Sequence, residues 1–174
     1  MALQQNDIRN QFVFVSTGNP ETVNDATPYA AGQVGALFTR GSETFQYVKF
    51  DTGATTAAAV AVAADEIVFW KDRDDFLVTT VANQAAAGRN AVAGVLKYAL
   101  TPGYHGFIQT GGLSAIKTAG SPAIGDIAVA NSGSDADVTP IGIGTAPTHR
   151  AVGVYQSTAS GGVATVNLLL NENV

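Results

Sequence analysis

Two histidines and two groups of aspartates are the residues whose types could support chemistry in this sequence. His105 and His149 lie far apart in the chain, and neither has a second histidine or a serine-based motif beside it. A zinc site or a catalytic triad needs such partners, and the chain has no cysteine to supply a thiolate. We therefore expect a protein that is not an enzyme and has no catalytic, metal or cofactor site. We also expect His105 to lie on the solvent side of its strand.

The aspartates cluster at two places where a calcium loop could form. Asp72, Asp74 and Asp75 make up the first cluster, and Asp135 and Asp137 make up the second. Neither cluster is followed by the bidentate glutamate that an EF-type loop requires. The pattern favours a solvated turn at both places and leaves cation binding there open.

A glycine pattern and four aromatic residues suggest two further kinds of binding site. Residues 142–147 begin like a dinucleotide-binding loop, but the segment lacks the third glycine and precedes no helix, so we exclude that interpretation. The aromatic residues could line a carbohydrate-binding face. They are scattered singly over different strands, which favours core or interface positions instead. The four are Trp70, Tyr98, Tyr104 and Tyr155.

The chain has the length of an ordinary domain and is poor in charged residues. The chain has 174 residues, a formal net charge of −5 and only 13% charged residues, where about 25% is usual. The acidic balance argues against a nucleic-acid partner. The N-terminus lacks a signal-peptide pattern and no apolar run is long enough for a membrane helix, so we expect no membrane partner and no export. A neutral surface suits a protein whose purpose is association.

Short apolar runs separated by turn signals make up most of the chain. The clearest lie in residues 90–112, where two β-type runs flank Pro102-Gly103, a pair typical of a type II turn. Residues 43–51 carry bulky side chains on both alternating faces, which predicts a strand between two layers. Roughly ten such runs predict an all-β fold, a compact β-sandwich or small barrel of short antiparallel strands.

Other stretches set the limits of the predicted β-domain. Residues 54–64 are rich in alanine, which favours a helix, but their β-type flanks favour a strand, and we prefer the strand. Residues 113–118 should form short strand pieces, and Pro140 should make residues 138–143 an edge strand. Residues 1–35 are mostly small and polar, which predicts an extended N-terminal arm followed by a single β-domain over residues 36–174.

A weak repeat relates residues 90–112 to residues 149–170. Gly94 and Gly103 correspond to Gly153 and Gly162 at a constant offset of 59 residues. Any two hairpins of a glycine-rich β-protein could share these features, so chance similarity stays open. A true repeat would place the two hairpins side by side in one small barrel, with the first glycine of each where strands bend or approach closely.

Several of these segments resemble the head decoration, or cement, proteins of tailed bacteriophages. The resemblance covers residues 45–170 and consists of strand and turn residues. It implies a compact β-domain that forms small oligomers, with a trimer favoured over a dimer, on the outside of the capsid where capsomers meet. The implied partners are the major capsid protein and further copies of the chain. The segments are 47–53 (YVKFDTG), 68–72 (VFWKD), 90–95 (NAVAGV), 103–109 (GYHGFIQ) and 124–130 (IGDIAVA).

Local composition predicts two contact surfaces for such a protein, which would be made in the host cytoplasm and located on the capsid exterior of the virion. One is a neutral face for oligomer formation, and the other is an N-terminal segment that contacts the shell. A tail, collar or fibre-base protein of a phage would have the same composition, and a carbohydrate-binding module is a second alternative. The residues are Phe107, Val154 and Tyr155 for the oligomer, and Phe12, Phe14 and Tyr29 for the shell.

Overall fold

A computed structural model shows the chain as an all-β protein, which confirms the predicted fold class. It describes residue 23 and residues 25–26, 34–51, 63–82, 91–131 and 136–170, and no α-helix occurs within these ranges. Residues 1–22 of the predicted arm and most of the predicted strand at residues 54–64 lie outside the described residues. The strands are β1 (Leu37–Arg40), β2 (Glu43–Phe50), β3 (Ile67–Asp72), β4 (Leu77–Thr79), β5 (Val92–Leu96), β6 (His105–Lys117), β7 (Ile127–Ala130), β8 (Val138–Ile141), β9 (Ala151–Tyr155) and β10 (Val163–Leu169).

Five of these strands close into a small barrel. Their order is β2-β4-β3-β5-β6, and β2 returns to pair with β6 from Thr44 opposite Gly111 to Lys49 opposite His105. Closure gives each of these strands a partner on both sides and so removes free sheet edges. One neighbouring pair, β2 with β4, is parallel, whereas the sequence predicted antiparallel strands throughout. The fold is therefore a barrel with additional strands rather than a sandwich.

Bulky side chains fill the barrel and also cover part of its outside. Alternate residues of β2 point in opposite directions, so Val48 and Phe50 lie in the barrel interior while Phe45 and Tyr47 pack outside it with Phe107 and Val23. This confirms that β2 lies between two layers. The interior cluster contains Val48, Phe50, Val68, Trp70, Val78, Ala91, Ala93, Leu96, Leu100 and Ile108.

The predicted hairpin at residues 90–112 is present and longer than expected. The Tyr104 N–H donates to the Thr101 carbonyl at 2.9 Å, and Gly103 has a φ of 83°, as a type II turn requires. The prediction of separate strand pieces after residue 112 is wrong, because β6 continues to Lys117. Gly112 has a φ of 84°, and a Cβ there would lie 2.6 Å from the Ser42 carbonyl oxygen. This glycine bends the strand without ending it.

Smaller differences also have local causes. Strand β4 begins only at Leu77, because Phe76 has a φ of 51° and cannot be part of an extended strand. The predicted edge strand is confirmed, since β8 with its Pro140 is the last strand of the sheet. The solvated turn predicted at the second aspartate cluster is wrong at Asp137, because Asp137 and its neighbour Ala136 are buried.

Candidate assembly surface

Beyond the barrel, the sheet continues as a wing of four strands in the order β10-β9-β7-β8. The wing attaches to the second half of β6, where β10 pairs from Val163 opposite Lys117 to Leu169 opposite Gly111. The hairpin of β9 and β10 therefore lies beside the hairpin of β5 and β6, as the repeat predicted. The expectation that both lie in one barrel is wrong, because β6 already closes the barrel on β2.

The two corresponding glycines both lie where a neighbouring strand comes close. A Cβ on Gly94 would lie 2.8 Å from the Gln109 carbonyl oxygen, and a Cβ on Gly153 would lie 2.2 Å from the Asn167 carbonyl oxygen. Both distances are shorter than a carbon–oxygen contact allows. The predicted close approach is confirmed at both positions, and it lets each hairpin pack without a side chain between its strands.

The inner face of the wing packs against the outside of the barrel. Ile67 and Phe69 of β3 share one buried cluster with Val166, Leu168 and Tyr155 of the wing. The Tyr155 hydroxyl lies 2.6 Å from the Thr118 hydroxyl, which donates to the Val138 carbonyl at 3.2 Å. Burial raises the pKa of Tyr155 to about 12, and the charges of Asp126 and Asp137 act in the same direction while the Thr118 hydrogen bond opposes them.

Ion pairs at the rim hold the wing half of β6 against the start of β3. The Lys117 ammonium lies 3.1 Å from Glu66 Oε1, and the Ala63 N–H donates to Glu66 Oε2 at 3.0 Å. Lys97 donates to the Ser114 hydroxyl at 3.2 Å and lies 3.8 Å from Asp65. These charges lie at the margin of the wing, and Lys117 points to the same side of β6 as Leu113.

The outer face of the wing carries a row of residues that crosses five strands. Leu113 of β6 lies opposite Asn167 of β10, and Asn167 lies opposite Val154 of β9. Val154 in turn lies opposite Ile127 of β7, which lies opposite Ile141 of β8. Residues directly opposite each other in a sheet point to the same side. We call these five residues the outer row.

The outer row is at least partly exposed, mostly apolar and without a charged residue. Leu113 is 53% exposed, while Ile127, Val154 and Ile141 are half-buried. Leu169, two residues from Asn167 on the same side of β10, is 56% exposed. On the other side of the outer row, Ile143 is 79% exposed. An apolar face of this kind has no reactive group and is suited to contact with another protein surface.

The structure separates the residues predicted for the oligomer contact. Val154 lies in the outer row, but Phe107 and Tyr155 are buried in two different clusters and offer no surface to a partner. Neighbouring residues of a strand point to opposite faces, so Val154 and Tyr155 could not share one. The residues predicted for the shell contact, Phe12, Phe14 and Tyr29, lie outside the described residues.

The sequence missed most of the outer row. Leu113 lies in a stretch predicted to form short strand pieces, and the sequence pattern marks Ile127 and Ile141 only as strand residues. Apolar residues occupy both alternating sets of positions along these strands, which indicates that both faces of each strand carry apolar side chains. The cross-strand register that aligns them is a non-local feature that the sequence pattern does not give.

His105 and the first aspartate cluster make only local contacts in the part of the chain that the structure describes. The prediction that His105 faces solvent is wrong: His105 is buried, stacked on Tyr47 at 6.0 Å between ring centroids. Its backbone N–H donates to the Asp25 carbonyl at 2.8 Å. Asp72 Oδ1 accepts the N–H groups of Asp74 and Asp75, so this cluster forms a turn. Across the described part of the chain, no three His, Cys, Asp or Glu side chains are grouped to hold a metal ion.

The four aromatic residues considered for sugar binding do not form one surface. Trp70 lies in the barrel interior, edge-on to Phe76, and Tyr155 lies in the cluster between wing and barrel. Tyr98 is 44% exposed and Tyr104 is half-buried. Two of the four side chains are therefore inaccessible to a ligand.

The chain was compared with protein families, curated proteins and solved structures. No protein-family model matches the chain, and no curated protein matches it. Among solved structures, one similar chain is the head fiber gp8.5 N base of bacteriophage phi29, with 12% sequence identity and a TM-score of 0.48 over 72% of this chain and 93% of that one. A similarity this low does not assign a fold or a function. Within the described ranges, no helix is long and apolar enough to cross a membrane.

Proposed function

We propose that this chain is a structural protein of a phage virion, a decoration protein that binds the outside of the head and stabilises it where capsomers meet. The observation that carries the proposal is the uncharged, apolar outer face of the wing, held on a closed barrel. The resemblance of residues 45–170 to head decoration proteins supports the same role. In this proposal the protein acts by binding alone and is not an enzyme.

The strand pairing within the barrel and between barrel and wing supports such a role. The barrel gives each of its strands two partners, and the wing is attached through a full strand of β10 as well as the rim ion pairs. A rigid domain loses little conformational freedom on binding. On a multivalent head, many contacts of modest strength hold a coat firmly, because local concentration adds avidity.

In the proposed arrangement, the N-terminal segment with Phe12, Phe14 and Tyr29 contacts the major capsid protein. Residues 23 and 25, which lie between Phe14 and Tyr29, are held on the domain. Val23 is buried against the outside of the barrel, and Asp25 exchanges two backbone hydrogen bonds with His105, at 2.9 and 2.8 Å. A deletion that tests the segment must therefore end before residue 23, or it will also remove packing from the domain.

The proposal is tested by adding purified protein to heads that lack it. Heads from a phage whose copy of this gene is deleted are mixed with the full chain or with a chain lacking residues 1–20, and bound protein is measured after sedimentation. Saturable binding of the full chain, lost on deletion while the circular dichroism spectrum is kept, supports both the role and the part of the shell contact that contains Phe12 and Phe14. Absence of binding by the full chain contradicts the decoration role. Binding only to tails or isolated fibres would instead support the tail, collar or fibre-base alternative.

A further inference from the structure

The outer row has the composition of a contact that is not selected by charge. Four of its five members are aliphatic, and the adjacent cross-strand row, which includes Ala115, Thr165 and Gln156, is also uncharged. The charge at the margin of this face, Lys117, is already paired with Glu66, so the face offers little to a partner recognised through electrostatic complementarity. Its partner should therefore be a second uncharged and mostly apolar surface.

Asn167 is the one polar member of the outer row. It is exposed, and its side-chain amide has no hydrogen-bond partner among the residues that the structure describes. A partner that covers the row must replace the water around this amide, because a buried polar group without a hydrogen bond is costly. An amide carries both donors and an acceptor, so two copies of Asn167 can satisfy each other. An aliphatic partner cannot do this.

The dimensions of the face fit a modest contact between two copies. Five strands spaced about 4.8 Å apart, with several residues along each strand, give a face of several hundred Å². A stable interface usually buries about 800 Å² on each partner. The face is therefore sufficient for an association that depends on concentration, and a twofold axis makes one patch complementary to itself.

We propose that the outer face of the wing is a twofold contact between two copies of this chain. The twofold axis runs along the outer row, so that Leu113, Val154 and Asn167 each meet the same residue of the other copy. The two Asn167 amides then form a reciprocal hydrogen-bonded pair. An axis along the strands would instead place Asn167 against Ile127 of the copy and leave the amide unsatisfied. This contact is a property of the protein in solution and does not depend on the proposed place in a virion.

Sedimentation velocity of the full chain over a range of concentrations tests the contact. We expect a shift from monomer to dimer in the micromolar range, weakened about tenfold or more by Leu113→Lys because the contact would bury an unpaired charge. Leu37→Lys is the matched control, since Leu37 is also exposed, at 62%, but lies on β1 outside the wing. The proposal is overturned if the chain stays monomeric throughout or if both variants behave alike. A monomer whose binding to heads is lost on Leu113→Lys would also overturn it, while leaving the proposed function intact.

The chain lacks cysteine, so single introduced thiols report the position of the axis. Facing sheets lie about 10 Å apart, too far for a disulfide but within reach of a short bismaleimide. With the axis along the outer row, Asn167→Cys crosslinks to itself, and a mixture of Asn167→Cys and Ile127→Cys gives no mixed product. A predominant mixed product would contradict this axis. Leu37→Cys still dimerises through the outer row but carries its thiol on β1 outside the contact, so it should give no crosslink and controls for random collision.

Discussion

Val154 and Tyr155 are neighbours in β9 but serve opposite faces of the wing. The Val154 side chain lies in the exposed outer row, whereas Tyr155 is fully buried and its hydroxyl lies 2.6 Å from the Thr118 hydroxyl. One residue therefore belongs to the face proposed for association, and the next packs that face against the barrel. Stability and association should consequently respond to different substitutions.

The buried hydroxyl pair should contribute measurably to stability. Tyr155→Phe removes one hydrogen bond and leaves Thr118 bonded to the Val138 carbonyl, so we expect a loss of about 1 kcal/mol in the free energy of unfolding. Thr118→Val leaves the Tyr155 hydroxyl buried without a partner and should cost more, about 2 kcal/mol. Urea denaturation of the two variants measures both values. Equal losses, or a larger loss for Tyr155→Phe, would contradict this assignment.

The same tyrosine should make stability fall in strong alkali. The pKa of Tyr155 is raised from 10.0 to about 12 in the folded state, so folding favours the protonated hydroxyl. Its contribution is fully present below the unfolded pKa of 10.0 and is lost as pH rises towards about 12. The stability difference between wild type and Tyr155→Phe should shrink over this interval, as measured by urea midpoints. A difference that stays constant with pH would show that Tyr155 titrates normally.

Gly153 should not tolerate a side chain. A Cβ there would lie 2.2 Å from the Asn167 carbonyl oxygen and 2.6 Å from Val166 Cγ1, so strand β10 would have to move. We expect Gly153→Ala to lower the free energy of unfolding by about 2–3 kcal/mol, as overpacking does. Gly142→Ala is the control, because a Cβ at Gly142 meets nothing within 4 Å, and it should change stability by less than about 0.5 kcal/mol. Thermal and urea unfolding compare the two, and similar effects would refute the close approach.

The ion pair of Lys71 and Asp51 should contribute more to the free energy of unfolding than the exposed pair of Arg40 and Glu43. Lys71 Nζ lies 2.7 Å from Asp51 Oδ2, and the Asp51 side chain is only 7% exposed. Lys71→Met would leave a buried carboxylate without its cation, and we expect a loss of about 2 kcal/mol. Glu43→Gln breaks a pair whose side chains are 42% and 27% exposed and should cost less than about 1 kcal/mol. If chemical denaturation ranks the two variants in the reverse order, the burial assigned to Asp51 is incorrect.

Local patterns predicted the strands well where side-chain type and turn residues agreed. The Pro102-Gly103 turn and the two-faced strand β2 follow from such patterns. The closure of β2 on β6 does not, because it joins residues about sixty positions apart through backbone pairing that no local pattern encodes. Gly112 was mistaken for a strand end, since a glycine with positive φ can either stop a strand or bend it.

The candidate site was harder to predict than the fold. Composition indicated a neutral surface for association and selected Val154, which lies in the outer row. It also selected Phe107 and Tyr155, because bulky residues look alike in a sequence whether they face the core or a partner. The alternation of Val154 and Tyr155 along one strand could have separated them. The alignment of Leu113 with Ile141 across five strands required the observed register.

The most direct measurement is cryo-electron microscopy of phage particles that carry this protein, at a resolution that shows strands. We predict density for the β-barrel on the outer surface of the head at capsomer junctions, with the outer faces of two wings in contact and Asn167 facing its copy. The gene-deleted particle should lack that density. Density at the tail, collar or fibre base, or a domain on the head whose wing face is exposed to solvent, would contradict the account.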